Sequence, residues 1–254
     1  MEEIIITADY HTHTTYSHGT GSVEDNVKIA IEKGFDHIAI TDHAKNHPFV
    51  GVKPKTFPVI REDIENVQKK YPQIKILMGI EANLIGMSGA IDLSNEDMDK
   101  LDIVLAGFHL TSSQEKLSDY FKLVWNGCTN IVGIQTKAQI RRNTIAYVNM
   151  IKNNKIDILT HPGFRLGVDY KEIGKVCEDY GTYIELSTRH KTPNEKTIED
   201  LLSTNVNFVI DSDAHKPEHV GYCDFALDLV KKYQISEKRI GNCNNKQLVL
   251  RSKN

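Results

Sequence analysis

The chain has 254 residues, of which 40% are hydrophobic, and its formal net charge is -3. This length and apolar content can supply the core of one large domain, and the apolar stretches are too short to span a membrane. The four cysteines lie far apart without a C-x-x-C pair, which argues for reduced thiols and against a thiolate zinc motif. The composition therefore predicts one cytoplasmic domain without a signal peptide, and the mixed charge argues against a large nucleic-acid footprint.

Seven short apolar runs, rich in β-branched residues, predict buried strands because each is too short for a helix. They cover residues 4–8, 37–41, 74–80, 103–108, 156–160, 182–186 and 207–211. Helical patterns lie between most of them, at residues 23–33, 62–70, 144–152, 171–180 and 195–203. In the first helix, Ser22 can act as the N-cap residue with Asp25 three positions later. Alternating strands and helices predict a parallel sheet covered on both faces, either closed as a barrel or open and doubly wound.

Histidines and carboxylates follow six of the seven predicted strands. In chain order they are His11, His13, His18, His43, Glu81, His109, His161, Asp213 and His215. The carboxyl ends of the strands converge on one face of a parallel α/β barrel, so these distant residues can meet in one pocket. Neutral imidazole binds divalent transition metals well, and this set exceeds the needs of one tetrahedral ion. The pattern therefore predicts a centre of two to three metal ions with bridging carboxylates.

The motifs HTHTTYSHG, ITDH, GIEAN, AGFH, THPG and SDAH occur in this order between residues 11 and 215. Together they resemble the signature of the PHP (polymerase and histidinol phosphatase) family, particularly its stand-alone bacterial phosphoesterases. The resemblance implies an α/β fold of the TIM-like type, a distorted (β/α)7 barrel with the metal site at the carboxyl ends of the strands. It also implies a single PHP domain over residues 1–254, with an expanded insertion at about 110–143.

The resemblance also distributes the metal ligands among three ions. A first ion is expected to bind four residues, His11, His13, Glu81 and Asp213. Glu81 bridges to a second ion, which His109 and His161 also bind. The third ion is expected to bind His18, His43 and His215. All nine positions carry a suitable ligand, which favours an active hydrolase over a domain that has lost its metals.

The predicted function is metal-dependent hydrolysis of phosphate monoesters of small molecules, such as histidinol phosphate, sugar phosphates or nucleoside phosphates. In this hypothesis a hydroxide bridging two ions attacks phosphorus, and the third ion offsets the developing negative charge. The predicted catalytic residues are Asp213, which orients the water and accepts its proton, Glu81, which bridges the ions, and His18, which can protonate the leaving group. The cofactors are two to three divalent transition-metal ions, with zinc the first choice and iron or manganese as alternatives.

Arg165 and Arg189 lie on strand-end loops, where they can bind a second phosphate or carboxylate of the substrate. The remaining histidines are interpreted as surface or strand-start residues; they are His37, His47, His190 and His219. Residues 110–143 exceed the length of a βα connection. This insertion is interpreted as a helical lid or dimerisation element carrying Tyr120 and Trp125, or alternatively as a peripheral excursion.

Two other functions remain open at this stage. One is a metal-dependent phosphodiesterase or exonuclease acting on nucleic acid, because the same ions can cleave diesters. The other, less favoured, is a non-catalytic metal-binding module. The preferred partner is a small-molecule phosphate ester; a membrane is not expected, nucleic acid is disfavoured, and the sequence leaves a homo-oligomer open.

Overall fold

The computed structural model describes residues 3–253, in which seven parallel strands form one sheet in sequence order. The strands are β1 (Ala8–Thr12), β2 (His37–Ile40), β3 (Lys75–Asn83), β4 (Ile103–Gly107), β5 (Ile158–Leu159), β6 (Tyr183–Ser187) and β7 (Phe208–Asp211). A parallel bridge between Thr12 and Ala214 brings β1 beside β7, and the His13 amide donates to the Ala214 carbonyl over 2.8 Å. The sheet therefore nearly closes on itself, which confirms the expected (β/α)7 barrel.

Helices connect the strands around the outside of the barrel. They are α1 (Val23–Glu32), α2 (Phe57–Lys70), α3 (Asn95–Met98), α4 (Leu117–Asp119), α5 (Trp125–Ile131), α6 (Lys137–Asn153), α7 (Tyr170–Tyr180), α8 (Ile198–Leu202) and α9 (Asp224–Lys232). The predicted capping box of Ser22 and Asp25 is present at the start of α1. The helix predicted at 144–152 begins earlier, because Thr136 and Gln139 form a second capping box. Between residues 3 and 253, none of the helices combines the length and the hydropathy of a membrane span.

Alternation along the strands explains why the predicted metal ligands face the same space. On β3, Leu77 packs in the small cluster inside the barrel, and Glu81 lies four residues further on the same face. Leu105 on β4 packs in the same cluster, and His109 follows four residues later, just beyond the end of the strand. Apolar residues therefore fill the amino-terminal half of the barrel, and polar ones follow them at the carboxyl ends of the strands.

The long connection after β4 is largely helical. A π-helical turn (Tyr120–Val124) joins α4 to α5, so residues 117–131 form one interrupted helix. Its side chains Phe121 and Trp125 are 71% and 63% exposed, respectively. Gly127 faces inward, and a Cβ atom there would come within 2.6 Å of Leu110 Cδ1. The absence of a side chain at Gly127 thus allows α5 to pack against the segment that follows His109.

Candidate metal centre

Glu81 lies at the middle of the polar cluster at the carboxyl ends of the strands. Its Oε1 atom is 2.9 Å from His161 Nε2 and 3.4 Å from His109 Nε2. Its Oε2 atom is 3.4 Å from His11 Nε2 and 2.8 Å from His43 Nδ1. The two oxygens of one fully buried carboxylate therefore face two separate groups of imidazoles, which is the arrangement that a bridging ligand requires.

Asp213 closes the opposite side of the cluster. Its Oδ1 atom is 3.2 Å from both His13 Nε2 and His215 Nδ1, and its Oδ2 atom is 2.9 Å from His190 Nε2. The Asp213 backbone has a φ of 52°, a left-handed conformation that is costly outside glycine and is often found at functional sites. The turn after β7 therefore directs this carboxylate back over the barrel.

Histidine rings pack against one another where the cluster opens to solvent. His18 and His43 stack with centroids 4.8 Å apart, and His47 stacks on His43 at 4.5 Å. The ring of His215 lies 4.1 Å from that of His18 and 4.2 Å from that of His13. We call His11, Glu81, His109, His161 and Asp213 the inner region, and His18, His43, His47 and His215 the rim region, with His13 between them.

The structure brings all nine predicted ligands into this one cluster. Four groups of three have ligand atoms within 4.8 Å of one another; they are His11–His13–Asp213, His43–Glu81–His109, His13–His43–His215 and His161–His190–Asp213. The grouping at the rim differs from the expected one, because His13 rather than His18 completes the set with His43 and His215. The ring of His18 is nevertheless in contact with this set.

Unpartnered buried atoms test whether the cluster fits metal ions. Glu81 Oε2, Asp213 Oδ1 and the Nδ1 atoms of His13, His43 and His161 are buried without a hydrogen-bond partner. Glu81 Oε2 and His43 Nδ1 are close, yet their geometry is not that of a hydrogen bond. Burying such atoms unpaired is costly, and cations among them remove that cost. Imidazole and carboxylate are also the donors that zinc, iron and manganese accept, so the residues fit a metal centre.

Two buried side chains that the sequence analysis missed hold inner-region imidazoles in place. Glu185 on β6 accepts a hydrogen bond from His11 Nδ1 over 2.6 Å and another from the His161 amide over 2.6 Å. Asn83 accepts from His109 Nδ1 over 2.8 Å, while its own Nδ2 donates to Asp92 over 2.7 Å. Because both Nδ1 atoms are engaged, the Nε2 atoms of His11 and His109 are left to face Glu81.

A separate set of contacts holds the loop that carries His18. The buried carboxylate of Asp42 accepts hydrogen bonds from the Thr14 amide over 2.8 Å and the Thr14 hydroxyl over 2.6 Å, and it also contacts the Ser17 hydroxyl. Gly19 packs so closely on the backbone of His13 that a Cβ atom would come within 2.5 Å of its carbonyl oxygen. Asp42 and this close approach together set the path of the chain between His13 and His18.

The histidines of the cluster differ in their electrostatics, and within the inner region burial lowers the pKa of His109 well below its usual value. Burial disfavours a charge on His11, but Glu81, Glu185 and Asp213 outweigh burial and raise the pKa of His11 well above its usual value. The pKa of His161 is also raised, because its pairing with Glu81 outweighs burial.

In the rim region, burial and neighbouring imidazoles lower the pKa of His43 to about 3 and that of His18 to about 4. His18 and His43 therefore stay neutral at physiological pH, in the form that binds metals.

The interpretation of His190 and His47 as surface residues is wrong. The side chain of His190 is only 17% exposed and contacts Asp213, and its ring lies 3.8 Å from that of Phe164. The pairing of Ser187 with Thr192 folds the loop after β6 back over the strand end. His47 is part of the rim stack described above. Of the other two, His37 begins β2 beside Asp36, as expected for a strand-start residue, and His219 is exposed.

The two arginines proposed to bind substrate have different surroundings. Arg189 Nη1 donates to the Asp213 carbonyl over 3.0 Å and contacts His215 Nδ1. Arg165 is exposed and its guanidinium lies 4.8 Å from the Phe164 ring. Arg189 thus directly adjoins the predicted ligands, whereas Arg165 reaches them only across Phe164 and His190.

The fold and the cluster together define a metal-binding α/β barrel, and comparison with known proteins specifies its family. A family model described as the PHP domain matches residues 9–189. The chain belongs to the PHP domain family, which confirms the resemblance found in its motifs.

Curated relatives match along most of the chain. A protein named "Probable phosphatase" from Caldanaerobacter subterraneus subsp. tengcongensis is 30% identical over 251 residues, covering 92% of this chain and 86% of its own. Another of that name, from Aliivibrio fischeri, is 28% identical over 246 residues, covering 92% and 88%. Relatives at this distance support a phosphatase function and name no substrate.

A solved structure is similar in fold. Histidinol phosphate phosphatase from Lactococcus lactis subsp. lactis, complexed with Zn, L-histidinol and phosphate, has a TM-score of 0.60 and 18% identity. The match covers 89% of this chain and 93% of that one. At this identity the similarity supports the barrel fold alone.

Proposed function

We propose that the protein is a metal-dependent phosphatase that hydrolyses phosphate monoesters of small molecules at a centre of two to three metal ions. The observation that carries the proposal is the position of Glu81, whose two buried oxygens face separate groups of imidazoles. The phosphatase names of the relatives support the same reaction class.

The proposed ligands follow the expectation from the motifs. A first ion would be held by His11, His13, Glu81 and Asp213, a second by Glu81, His109 and His161, and a third by His18, His43 and His215. Bound divalent ions supply the acidity that produces a nucleophile from water near neutral pH and the charge that stabilises phosphoryl transfer. Zinc is the first choice, with iron or manganese as alternatives, and the zinc in the Lactococcus structure supports that order.

The residues of the chain then have separate tasks. Asp213 orients the attacking water and accepts its proton, while His190 holds its Oδ2 atom. Glu185 keeps the His11 ring in one orientation. His18 lies at the exposed edge of the cluster, but its pKa of about 4 leaves it neutral, so the departing alkoxide takes its proton from water. The candidate substrates are histidinol phosphate, sugar phosphates and nucleoside phosphates.

A substrate panel with metal analysis tests this function. Purified protein is assayed on histidinol phosphate, glucose 6-phosphate and adenosine 5′-monophosphate, and on two diesters, bis(p-nitrophenyl) phosphate and a single-stranded oligonucleotide. The proposal predicts monoester hydrolysis that a chelator abolishes and added metal restores, with at least two ions per chain by elemental analysis. Hydrolysis that is indifferent to the chelator, or cleavage of the diesters alone, would contradict it.

A further inference from the structure

A cavity of about 610 Å³ adjoins the metal centre. Its walls come from the loops that follow β6 and β7, and it shares Asp213 and His215 with the metal centre. The volume is within the range of about 300–1,000 Å³ that is typical of small-molecule sites. A ligand in this cavity therefore lies directly beside the groups that are proposed to perform hydrolysis.

The charge of the walls is strongly one-sided. Arg189, Lys191 and Lys216 line the cavity, and Asp213 is the one acidic residue among the lining residues that the structure describes. Within residues 3–253, no carboxylate oxygen lies within 4 Å of the ammonium group of Lys191 or Lys216. Unpaired cations that surround a concave space attract anions, because the low-dielectric walls focus their field.

We propose that this basic cavity binds a second anionic group of the substrate, either phosphate or carboxylate, while the phosphate ester lies at the metal centre. This inference rests on the proposed phosphatase function and narrows its substrate class. Arg189 joins the two sites, since its guanidinium contacts the Asp213 carbonyl and also lines the cavity. Tyr222, which is 52% exposed, offers an apolar face to the carbon skeleton between the two anionic groups.

The proposal ranks the candidate substrates of the preceding subsection. Sugar or nucleoside phosphates that carry a further phosphate or carboxylate are favoured. Histidinol phosphate is disfavoured, because its second ionised group is an ammonium that Lys191 and Lys216 repel.

Matched synthetic substrates measure the contribution of a second anionic group on the substrate. 1,4-Butanediol monophosphate, 1,4-butanediol bisphosphate and 4-phosphooxybutanoate have the same carbon chain and end in a hydroxyl, a phosphate and a carboxylate, respectively. The metal-loaded enzyme is expected to show a kcat/KM for one or both substrates with a second anionic group at least about tenfold above that for the monophosphate, the scale of a charge-assisted hydrogen bond. The better of the two identifies the second group as phosphate or carboxylate.

A double variant connects this preference to the cavity. In Lys191→Met/Lys216→Met the ratio of kcat/KM values between the favoured substrate and the monophosphate is expected to fall to near unity. The control Lys69→Met/Lys171→Met removes two exposed lysines that do not line the cavity, and it should keep the ratio of the unmodified enzyme. Calorimetry with butane-1,4-bisphosphonate and butylphosphonate, which cannot be hydrolysed, should show the same ratio in binding affinity and the same loss in the variant.

The outcomes separate this proposal from the function on which it rests. If all three four-carbon substrates are hydrolysed with equal efficiency, or if the double variant keeps the preference, the basic cavity does not select the substrate. The phosphatase function stands in either case. If the metal-loaded enzyme hydrolyses none of these substrates and no other monoester, the proposed function itself fails.

Discussion

The inner and rim regions of the cluster lie within a few ångströms of each other and are built differently. Inner-region side chains come mainly from the strand ends and depend on buried carboxylates, Glu81 and Asp213, with Glu185 supporting His11. The rim region consists of imidazoles that stack on one another, and three of them, His18, His47 and His215, lie on loops. The inner region therefore has its geometry imposed by the barrel, whereas the rim depends on how its loops are held.

The pKa values of two inner-region histidines also differ from those of two rim histidines. The inner carboxylates raise the pKa values of His11 and His161 above the usual range, since their attraction exceeds the effect of burial. Burial and neighbouring imidazoles lower the pKa values of His18 and His43 instead. His18 and His43 are therefore neutral and ready to bind metal at physiological pH, whereas His11 and His161 must first lose a proton.

The largest effect is expected from Asp213→Asn. Amide nitrogen and oxygen keep the shape of the side chain but cannot accept the proton, so turnover should fall by about a thousandfold, the scale of a lost general base. Elemental analysis should still find most of the metal. Asp179→Asn, on the exposed side of α7, serves as the control. Equal turnover in the two variants would remove the catalytic role assigned to Asp213.

A smaller effect is expected from Glu185→Gln in the inner region. Loss of the carboxylate that holds His11 Nδ1 should weaken metal binding by about 10- to 100-fold, the usual consequence of removing an outer partner of a metal-binding histidine. Turnover should largely recover at saturating metal, which distinguishes Glu185 from a catalytic residue. The control is Glu199→Gln, an exposed carboxylate at the start of α8. A loss of turnover that added metal cannot reverse would contradict the supporting role.

In the rim region, the substitution that corresponds to Glu185→Gln is Asp42→Asn. This change weakens the hydrogen bonds to Thr14 and Ser17 and loosens the loop that carries His18. We expect one ion per chain to bind roughly fivefold more weakly, a smaller loss than in the inner region, because about 1 kcal/mol is typical of such hydrogen bonds. Competition with a chromophoric chelator measures each affinity. A loss of all ions at once would mean that the two regions are not separable.

The smallest effect is a difference in proton release. At pH values near 6.5 the metal-free protein carries protons on His11 and His161, because their pKa values are raised, and binding of metal must displace them. As the pH rises through these pKa values, the protons are already lost and inner-region affinity increases. His18 and His43, with pKa values of about 4 and about 3, release no protons in this range, so these two ligands add no pH dependence to metal binding.

Calorimetric titration of metal-free protein with Zn²⁺ in two buffers of different ionisation enthalpy counts these protons. Glu185→Gln should reduce the number released at pH 6.5, because Glu185 is one of the carboxylates that raise the pKa of His11. An unchanged number would show that the carboxylates do not set the charge of the inner region.

Regular features of the sequence predicted the alternating strands and helices and the convergence of nine side chains, whereas the choice of a closed barrel rested on the resemblance to the PHP family. Strand alternation and the common direction of parallel strands place residues such as Glu81 and His109 at one end of the barrel. Glu185 was missed because it lies within an apolar run and precedes the strand end. The sequence did contain a sign of its role, because a charged residue inside a buried strand needs a partner. Glu185 lies two residues after Tyr183 and therefore shares the strand face that lines the barrel.

The position of His190 could not be read from the sequence. It depends on the pairing of Ser187 with Thr192, which folds a short loop back over the strand end, and no periodicity in the sequence encodes that path. The basic cavity could not be predicted from the sequence either, because Lys191 and Lys216 come from two loops whose relative placement only the closed barrel determines. Regular elements were thus predictable, and the contacts between loops were not.

Hydrolysis is proposed to require at least two metal ions bound in the cluster. The most direct test titrates Zn²⁺ into protein stripped of metal while phosphate release from a monoester is followed and bound ions are counted. The account predicts no activity without metal and a maximum only when two to three ions are bound per chain. Activity in the stripped protein, or maximal activity with fewer than two ions, would contradict it.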